Sequence, residues 1–205
     1  MAEQFAVFMD GLEVDLLQGL DSQSRKLAAV RAINKAARDA RAAAARQIRD
    51  QVNLPARYVS PAQKRLYVSK QAQKASLEAR ITAQGRATSL AQFVSGGARK
   101  GQRGVYVEVA PGKARMMKKA FVIPLRRGNE FTDTKYNLGL AIRLRPGERL
   151  QNKTFARRIE SGLYLLYGPS VSQIFRANDG SGVATDMAPE VANKLSDEFL
   201  RLLDI

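Results

Sequence analysis

One short segment in the middle of the chain has the residue types of a metal-dependent nuclease. Asp133-Thr134-Lys135, with Glu108 upstream, supplies two carboxylates that could hold Mg²⁺ and a lysine that could stabilise developing negative charge. An acid-x-lysine motif is common by chance, and Glu130-Phe131-Thr132-Asp133 is also typical of a polar turn between two strands. Nuclease activity is therefore the weaker hypothesis for this segment.

The composition excludes most other catalytic chemistry. The 205 residues include no His and no Cys, which excludes Ser-His-Asp and Cys-His nucleophiles, zinc sites of nitrogen and sulfur ligands, and disulfides. Glu148 and Glu160 could form a glycosidase carboxylate pair, but only their acidity supports this. No phosphate-binding or dinucleotide-binding glycine loop is present. We predict that the protein is not an enzyme and binds no cofactor or metal.

The charge is large, positive and unevenly distributed. There are 34 Lys and Arg against 19 Asp and Glu, a formal net charge of +15. Residues 1–21 carry five acids and no base, residues 160–205 carry seven acids and three bases, and residues 22–159 carry 31 bases and seven acids. A basic middle between acidic ends predicts acidic partners, which could be nucleic acid, an anionic membrane or an acidic protein surface.

The apolar residues do not form a membrane segment in the sequence. No apolar run approaches the ~18 residues of a membrane span, and the chain begins with acids rather than with the basic region of a secretory signal. The sequence therefore predicts a soluble protein of a cytoplasm-like compartment.

Two basic segments could contact nucleic acid. The candidate residues are Lys64, Arg65, Arg99, Lys100 and Arg103. The first two lie between Tyr58 and Tyr67, and the other three lie in the glycine-rich residues 96–104, which predict a flexible loop. Because no helix-turn-helix, RNP-like strand or zinc module can be recognised, any such contact should be with the phosphate backbone and not with the base sequence.

The elements that must position these residues include four predicted helices. Residues 22–52 contain no Gly or Pro and many Ala, which predicts a long helix capped by Asp21 or Ser22. Its apolar stripe is Leu27, Val30, Ala37, Ala44 and Ile48. Capping-box spacing predicts brief helices from Ser60-Pro61-Ala62-Gln63 and from Ser170 with Gln173. Asp186 is the expected N-cap of a final helix with an apolar face at Val191, Leu195, Phe199 and Leu202.

Alternating apolar residues predict an antiparallel sheet. The strand candidates are residues 76–82, 105–109, 120–125, 138–144 and 163–167. Residues 2–20 have no single period and predict a short strand or a helix, and residues 178–182 predict a loop. The predicted fold is therefore α+β, with the long helix and the C-terminal helices packed on a small antiparallel sheet.

The stretch from Leu165 to Phe175 combines a strand, a Tyr-Gly-Pro-Ser turn and a short helix with an apolar-aromatic pair. Upstream lie the Ala-rich basic helix, the Leu54-Pro55 break, residues 77–81, Ser89-Leu90 with Phe93, and a Pro111-Gly112-Lys113 turn leading to residues 119–121. The order of these segments resembles the tailed-phage minor tail protein Z family, the tail-completion proteins of lambda-like and related phages. The resemblance covers most of residues 22–176.

The resemblance implies a structural protein with a fold similar to that of other tail-completion proteins. It implies a ring, expected to be hexameric, at the head-proximal end of the tail, which completes the tail and joins the tail terminator or tail tube to the head-tail connector. DNA would pass through its channel and make non-specific contact with it. The protein would be assembled in the host cytoplasm, reside in the virion and have no membrane partner. The implied domains are an acidic segment (1–21), a tail-completion core (22–176), and a loop with the C-terminal helix (177–205).

The Tyr-Gly-Pro-Ser turn has two interpretations. The favoured one is a strand-to-helix turn that needs Gly for backbone freedom and Pro to start the helix. The other is an exposed corner that docks on a neighbouring ring. Its contact residues would be Tyr167, Gly168, Pro169, Ser170 and Phe175. For the whole chain, the alternative function is that of a sequence-independent nucleic-acid-binding protein.

Overall fold

A computed structural model describes residues 2–8, 22–96, 104–125, 138–150, 155–176 and 182–203. Its helices and antiparallel strands confirm the α+β class. In chain order the elements are β1 (Glu3–Phe8), α1 (Ser22–Gln51), β2 (Leu66–Lys70), β3 (Glu78–Ala83), β4 (Thr88–Ser89), β5 (Val94–Ser95), β6 (Val105–Val107), β7 (Arg115–Met117), β8 (Ala120–Pro124), β9 (Leu138–Arg143), β10 (Ala156–Glu160), β11 (Leu163–Gly168), α2 (Val171–Phe175) and α3 (Val183–Leu202). Within these ranges, no helix has the length and apolar character needed to cross a membrane.

The chain forms two compact units, each built from non-consecutive segments. Unit 1 comprises Met1–Ile48, Val59–Gly85 and Val171–Ile205. Unit 2 comprises Arg49–Tyr58 and Arg86–Ser170.

Helix α1 confirms the long helix predicted for residues 22–52 and buries a stripe of small side chains. The fully or almost fully buried residues are Ala28, Ala29, Ala32, Ile33, Ala36, Ala37, Ala40, Ala44 and Ile48. The predicted stripe is wrong at Leu27, which is 38% exposed. Alanine allows a close approach of the packed surface, so the buried face follows the alanines rather than the first large apolar side chain.

In unit 1, three antiparallel strands lie in the order β1-β3-β2. Strand β3 is central, with Ile81 paired to Phe5 on one side and to Val68 on the other. The first strand resolves the strand-or-helix alternative at Glu3–Phe8, whereas residues 9–21 lie outside the described residues. The predicted strand 76–82 starts two residues later than expected, and β2 was not predicted.

A side-chain amide connects α1 to the turn between β2 and β3. The Asn34 Nδ2 donates to the Ala72 carbonyl at 3.0 Å, and the Ala72 N–H donates to the Asn34 Oδ1 at 2.8 Å. Both main-chain hydrogen-bonding groups of Ala72 are therefore satisfied by one side chain.

Of two predicted helix starts, the brief helix at Pro61 begins where expected, and the final helix needs correction. Pro61–Gln63 forms a single 3-10 turn, because the chain leaves it through Lys64 in the left-handed region (φ 49°) and enters β2. The Ser60 side chain makes no capping hydrogen bond there. Helix α3 begins at Val183, so Asp186 lies inside the first turn, where its carboxylate suits the helix dipole. The predicted apolar face is confirmed by burial of Val191, Leu195 and Phe199, while Leu202 is half-buried.

The described residues of unit 2 form two antiparallel sheets. The five-stranded sheet has the order β10-β11-β9-β8, with β4 also paired to β11, and the three-stranded sheet has the order β5-β6-β7. The strands predicted at 105–109, 120–125, 138–144 and 163–167 are found within one or two residues of their expected ends. The predicted loops at 96–104 and 178–182 fall largely outside the described residues.

Candidate functional site

The Tyr-Gly-Pro-Ser element lies at the end of a central strand of unit 2. Tyr167 and Gly168 pair with Ser89 and Thr88 of β4, and the Tyr167 N–H donates to the Phe155 carbonyl at 2.8 Å. Strand β11 pairs with β9 and β10 as well. The start of the element is therefore fixed by pairing on both sides.

Gly168 is closely packed against two side chains, and its backbone conformation does not call for glycine. Its φ lies outside the left-handed region. A Cβ at this position would lie 3.0 Å from Cε2 of Phe93 and 3.3 Å from Cδ2 of Leu90. The predicted reason for this glycine was therefore wrong, because the constraint comes from a side chain that the local sequence does not identify.

The remaining residues of the element divide into buried and half-buried positions. Helix α2 begins at Val171, so Pro169 precedes the first helical residue by two positions and does not start the helix as predicted. Ser170 is 3% exposed and Phe175 is completely buried. The Phe175 ring packs edge-on against Phe5, with centroids 6.5 Å apart and planes at 81°. Ser170 and Phe175 therefore present almost no side-chain surface to a partner.

The surface available at this corner is that of Tyr167 and Pro169, both half-buried. Phe155, the neighbour of Tyr167 across the strand pair, is 41% exposed. Sequence reasoning missed Phe155 because no local pattern separates it from a core aromatic residue.

The basic candidates are only partly described. Lys64 is exposed and Arg65 is half-buried, with its carbonyl accepting the Gln84 N–H at 2.9 Å. Arg99, Lys100 and Arg103 lie outside the described residues. The Tyr58 hydroxyl is engaged with the Thr88 hydroxyl at 3.2 Å.

Two of the carboxylates considered for catalysis, those of Glu108 and Glu148, have structural partners. Glu108 accepts the Gly112 N–H at 2.7 Å and closes the turn after β6. Glu148 accepts from Lys119 and from the Arg145 N–H, and the Lys119 hydrogen bond lowers its pKa. Asp133-Thr134-Lys135 lies outside the described residues. Among the residues that the structure describes, no group of three acidic side chains could hold a metal ion.

An ion-pair cluster that the sequence did not predict joins α1 to α3. Glu198, whose side chain is 10% exposed, accepts from Lys35 at 2.7 Å and from Arg201 at 2.7 Å and 3.0 Å. These hydrogen bonds, first that from Arg201 and then that from Lys35, lower the pKa of Glu198 to about 2. Beside the cluster lies an open groove of about 270 Å³ that Asp39, Lys194 and Asp197 also line. The Lys35–Glu198 ion pair connects the two helices. Because residues of both signs line the groove, it does not form a surface of one charge.

Exposed charges of opposite sign also lie along the same two helices, and one of them, Asp197, borders the groove as well. We define the basic face of α1 by Leu27, Arg31 and Arg38, all of which are exposed. We define the acidic face of α3 by Asp186, Glu190, Asp197 and Leu200, which are exposed too. In each set the residues are spaced for one side of a helix.

Comparison with known proteins identifies the family. A family model described as prophage minor tail protein Z matches residues 9–203, nearly the whole chain. No curated protein matches the sequence. No solved structure matches it either. The chain belongs to the minor tail protein Z family and is a structural component of the phage tail, present in the virion with other tail proteins.

Proposed function

We propose that this chain forms a ring at the head-proximal end of the tail, where it completes the tail and joins it to the head-tail connector. The family match over residues 9–203 carries the proposal. The expected ring is hexameric and surrounds the channel through which DNA passes. Its other partners are the tail terminator or the tail tube. No catalytic residue is needed for this role.

The charge distribution supports assembly through contacts between unlike surfaces. The basic face of α1 and the acidic face of α3 belong to different helices of unit 1. Contacts between two different surfaces of identical subunits close into a ring when the rotation permits. The side chains of Tyr167, Pro169 and Phe155 form the corner that we propose for contact with a neighbouring ring.

Deletion of the gene in a phage and complementation with variants test this role. Without the protein, tails should fail to join heads or to deliver DNA, and electron microscopy of complemented particles should place the chain in the neck as a ring. Tyr167→Ala with Phe155→Ala should reduce joining, whereas Ile159→Ala, which alters a side chain of 45% exposure on neighbouring β10, should not. Normal infection by the deletion phage, or a neck without this chain, would reject the proposal.

Sequence-independent binding to nucleic acid is the second candidate, favoured by the 31 bases against seven acids in residues 22–159. For such a protein, the logarithm of the affinity for free DNA should fall with the logarithm of salt by about 0.9 for each phosphate neutralised. Tight binding to free DNA, together with no association with any tail or connector protein, would favour this candidate over the neck role.

A further inference from the structure

We infer that the basic face of α1 on one copy of this chain binds the acidic face of α3 on a second copy, with the two helices antiparallel. The inference rests on the proposed ring and identifies the surfaces that would build it. Both faces belong to unit 1, and both are composed of described residues.

The basic face is available for a partner. The side chains of Arg31 and Arg38 are exposed and form no hydrogen bond or ion pair with any residue in the described ranges. Leu27, one turn before Arg31, is 38% exposed. An exposed leucine beside two arginines suits a partner that offers an apolar side chain next to carboxylates.

The acidic face of α3 has those properties. Asp186 and Asp197 are exposed, and Leu200 is 42% exposed. Glu190 pairs with Lys194 at 2.6 Å, but the two side chains are 57% and 53% exposed. An ion pair this exposed is weak and can rearrange when a partner approaches.

The spacings on the two faces match when the helices run in opposite directions. With a rise of 1.5 Å per residue, Arg31 and Arg38 lie about 6 Å and about 16 Å along α1 from Leu27. Asp197 and Glu190 lie about 4.5 Å and about 15 Å along α3 from Leu200, in the opposite chain direction. If the two leucines meet, each arginine therefore faces a carboxylate within about 2 Å of axial register.

This contact is head-to-tail, because the two faces are different and each copy carries both. The Lys35–Glu198–Arg201 cluster ties α3 to α1 within a copy and so fixes the angle between the faces. A fixed angle is what a ring of defined subunit number requires.

Charge reversal tests the contact in assembled tails. Arg31→Glu with Arg38→Glu should lower incorporation of the protein into tails at least about tenfold, since like charges would then face each other. Glu190→Arg with Asp197→Arg should do the same, and all four changes in one chain should restore incorporation. Arg86→Glu with Lys118→Glu, two exposed positions of unit 2, is the control for the arginine pair and changes the net charge by the same amount as that pair. Circular dichroism of each purified variant checks that it is folded.

Cross-linking supplies a second measurement that does not depend on altered charge. Because the chain has no Cys, Arg31→Cys and Asp197→Cys copies that are co-expressed can form a disulfide only between copies. We expect cross-linked pairs in assembled tails from this mixture and none when Arg86→Cys replaces Arg31→Cys. The proposed interface would be overturned if the arginine pair or the carboxylate pair, reversed alone, were fully incorporated into tails. It would also be overturned if tails containing both cysteine copies showed no cross-link. Neither result would contradict the proposed ring. Absence of the unaltered protein from the neck would instead overturn the proposed function.

Discussion

Replacement of Gly168 by alanine separates the two interpretations of the Tyr-Gly-Pro-Ser element. The added methyl group would lie 3.0 Å from the Phe93 ring and 3.3 Å from Leu90. Phe93 is only 1% exposed and has little space to move into. Overpacking of this kind costs about 1–3 kcal/mol, and the loss of glycine's freedom in the unfolded chain offsets about 0.4–1 kcal/mol. We therefore expect Gly168→Ala to lower the free energy of unfolding by about 1–2 kcal/mol.

Urea unfolding followed by circular dichroism measures this effect. Phe93→Leu, alone and combined with Gly168→Ala, tests whether the Phe93 ring is the cause. The smaller side chain should make room for the methyl group, so the double variant should be more stable than the sum of the single effects predicts, by about 1 kcal/mol. Additive effects, or an alanine variant as stable as the parent protein, would refute the packing explanation. A stable variant that no longer enters tails would favour docking by this corner instead.

Three further predictions concern unit 1. Phe175→Ala removes a fully buried ring that packs on Phe5 and should lower the free energy of unfolding by about 3–5 kcal/mol in urea titrations, whereas a change below about 1 kcal/mol would contradict its core position. Asn34→Ala leaves the N–H and C=O of Ala72 without their amide partner and should lower the free energy of unfolding by about 1–3 kcal/mol in the same assay. Asn34→Asp should be destabilised too, because a carboxylate oxygen would replace the Nδ2 that donates to the Ala72 carbonyl, and an alanine variant as stable as the parent would contradict the role of this amide. The ion pairs that lower the pKa of Glu198 contribute stability that is fully present above pH 4.5 and is lost as the pH falls toward about 2. The thermal midpoint of Glu198→Gln should therefore depend less on pH in this window than that of the parent protein. An unchanged pH dependence would argue against the ion pairs.

Elements whose own pattern buries an apolar face could be predicted from the sequence. The alanine-rich α1 and the four-residue apolar spacing of α3 are examples, because burial on one side fixes their period. The strands β2 and β10 could not be predicted in this way. Strand β10 consists of Ala-Arg-Arg-Ile-Glu and lies at a sheet edge with its last four residues exposed, so pairing with β11 and not its own composition makes it a strand.

The candidate site illustrates the same limit of local patterns. The sequence identifies the Tyr-Gly-Pro-Ser element, but the reason for Gly168 is a ring at Phe93, 75 positions earlier. The cluster at Glu198 depends on Lys35, from the opposite end of the chain. Contacts between distant segments decide which exposed residues remain free for a partner, and these contacts have no local signature.

The segmented construction of unit 1 determines when this protein can fold during its synthesis. Phe5 and Phe175 meet in one core although most of the chain separates them, and α3 closes the unit only after Val183. A ribosome adding about 5–20 residues per second needs on the order of ten seconds to go from the end of α1 to α2. During that time, the buried alanine-rich face of α1 lacks the C-terminal helices of unit 1. Messages truncated before Val171 should therefore yield an N-terminal product that chaperones retain or proteases remove.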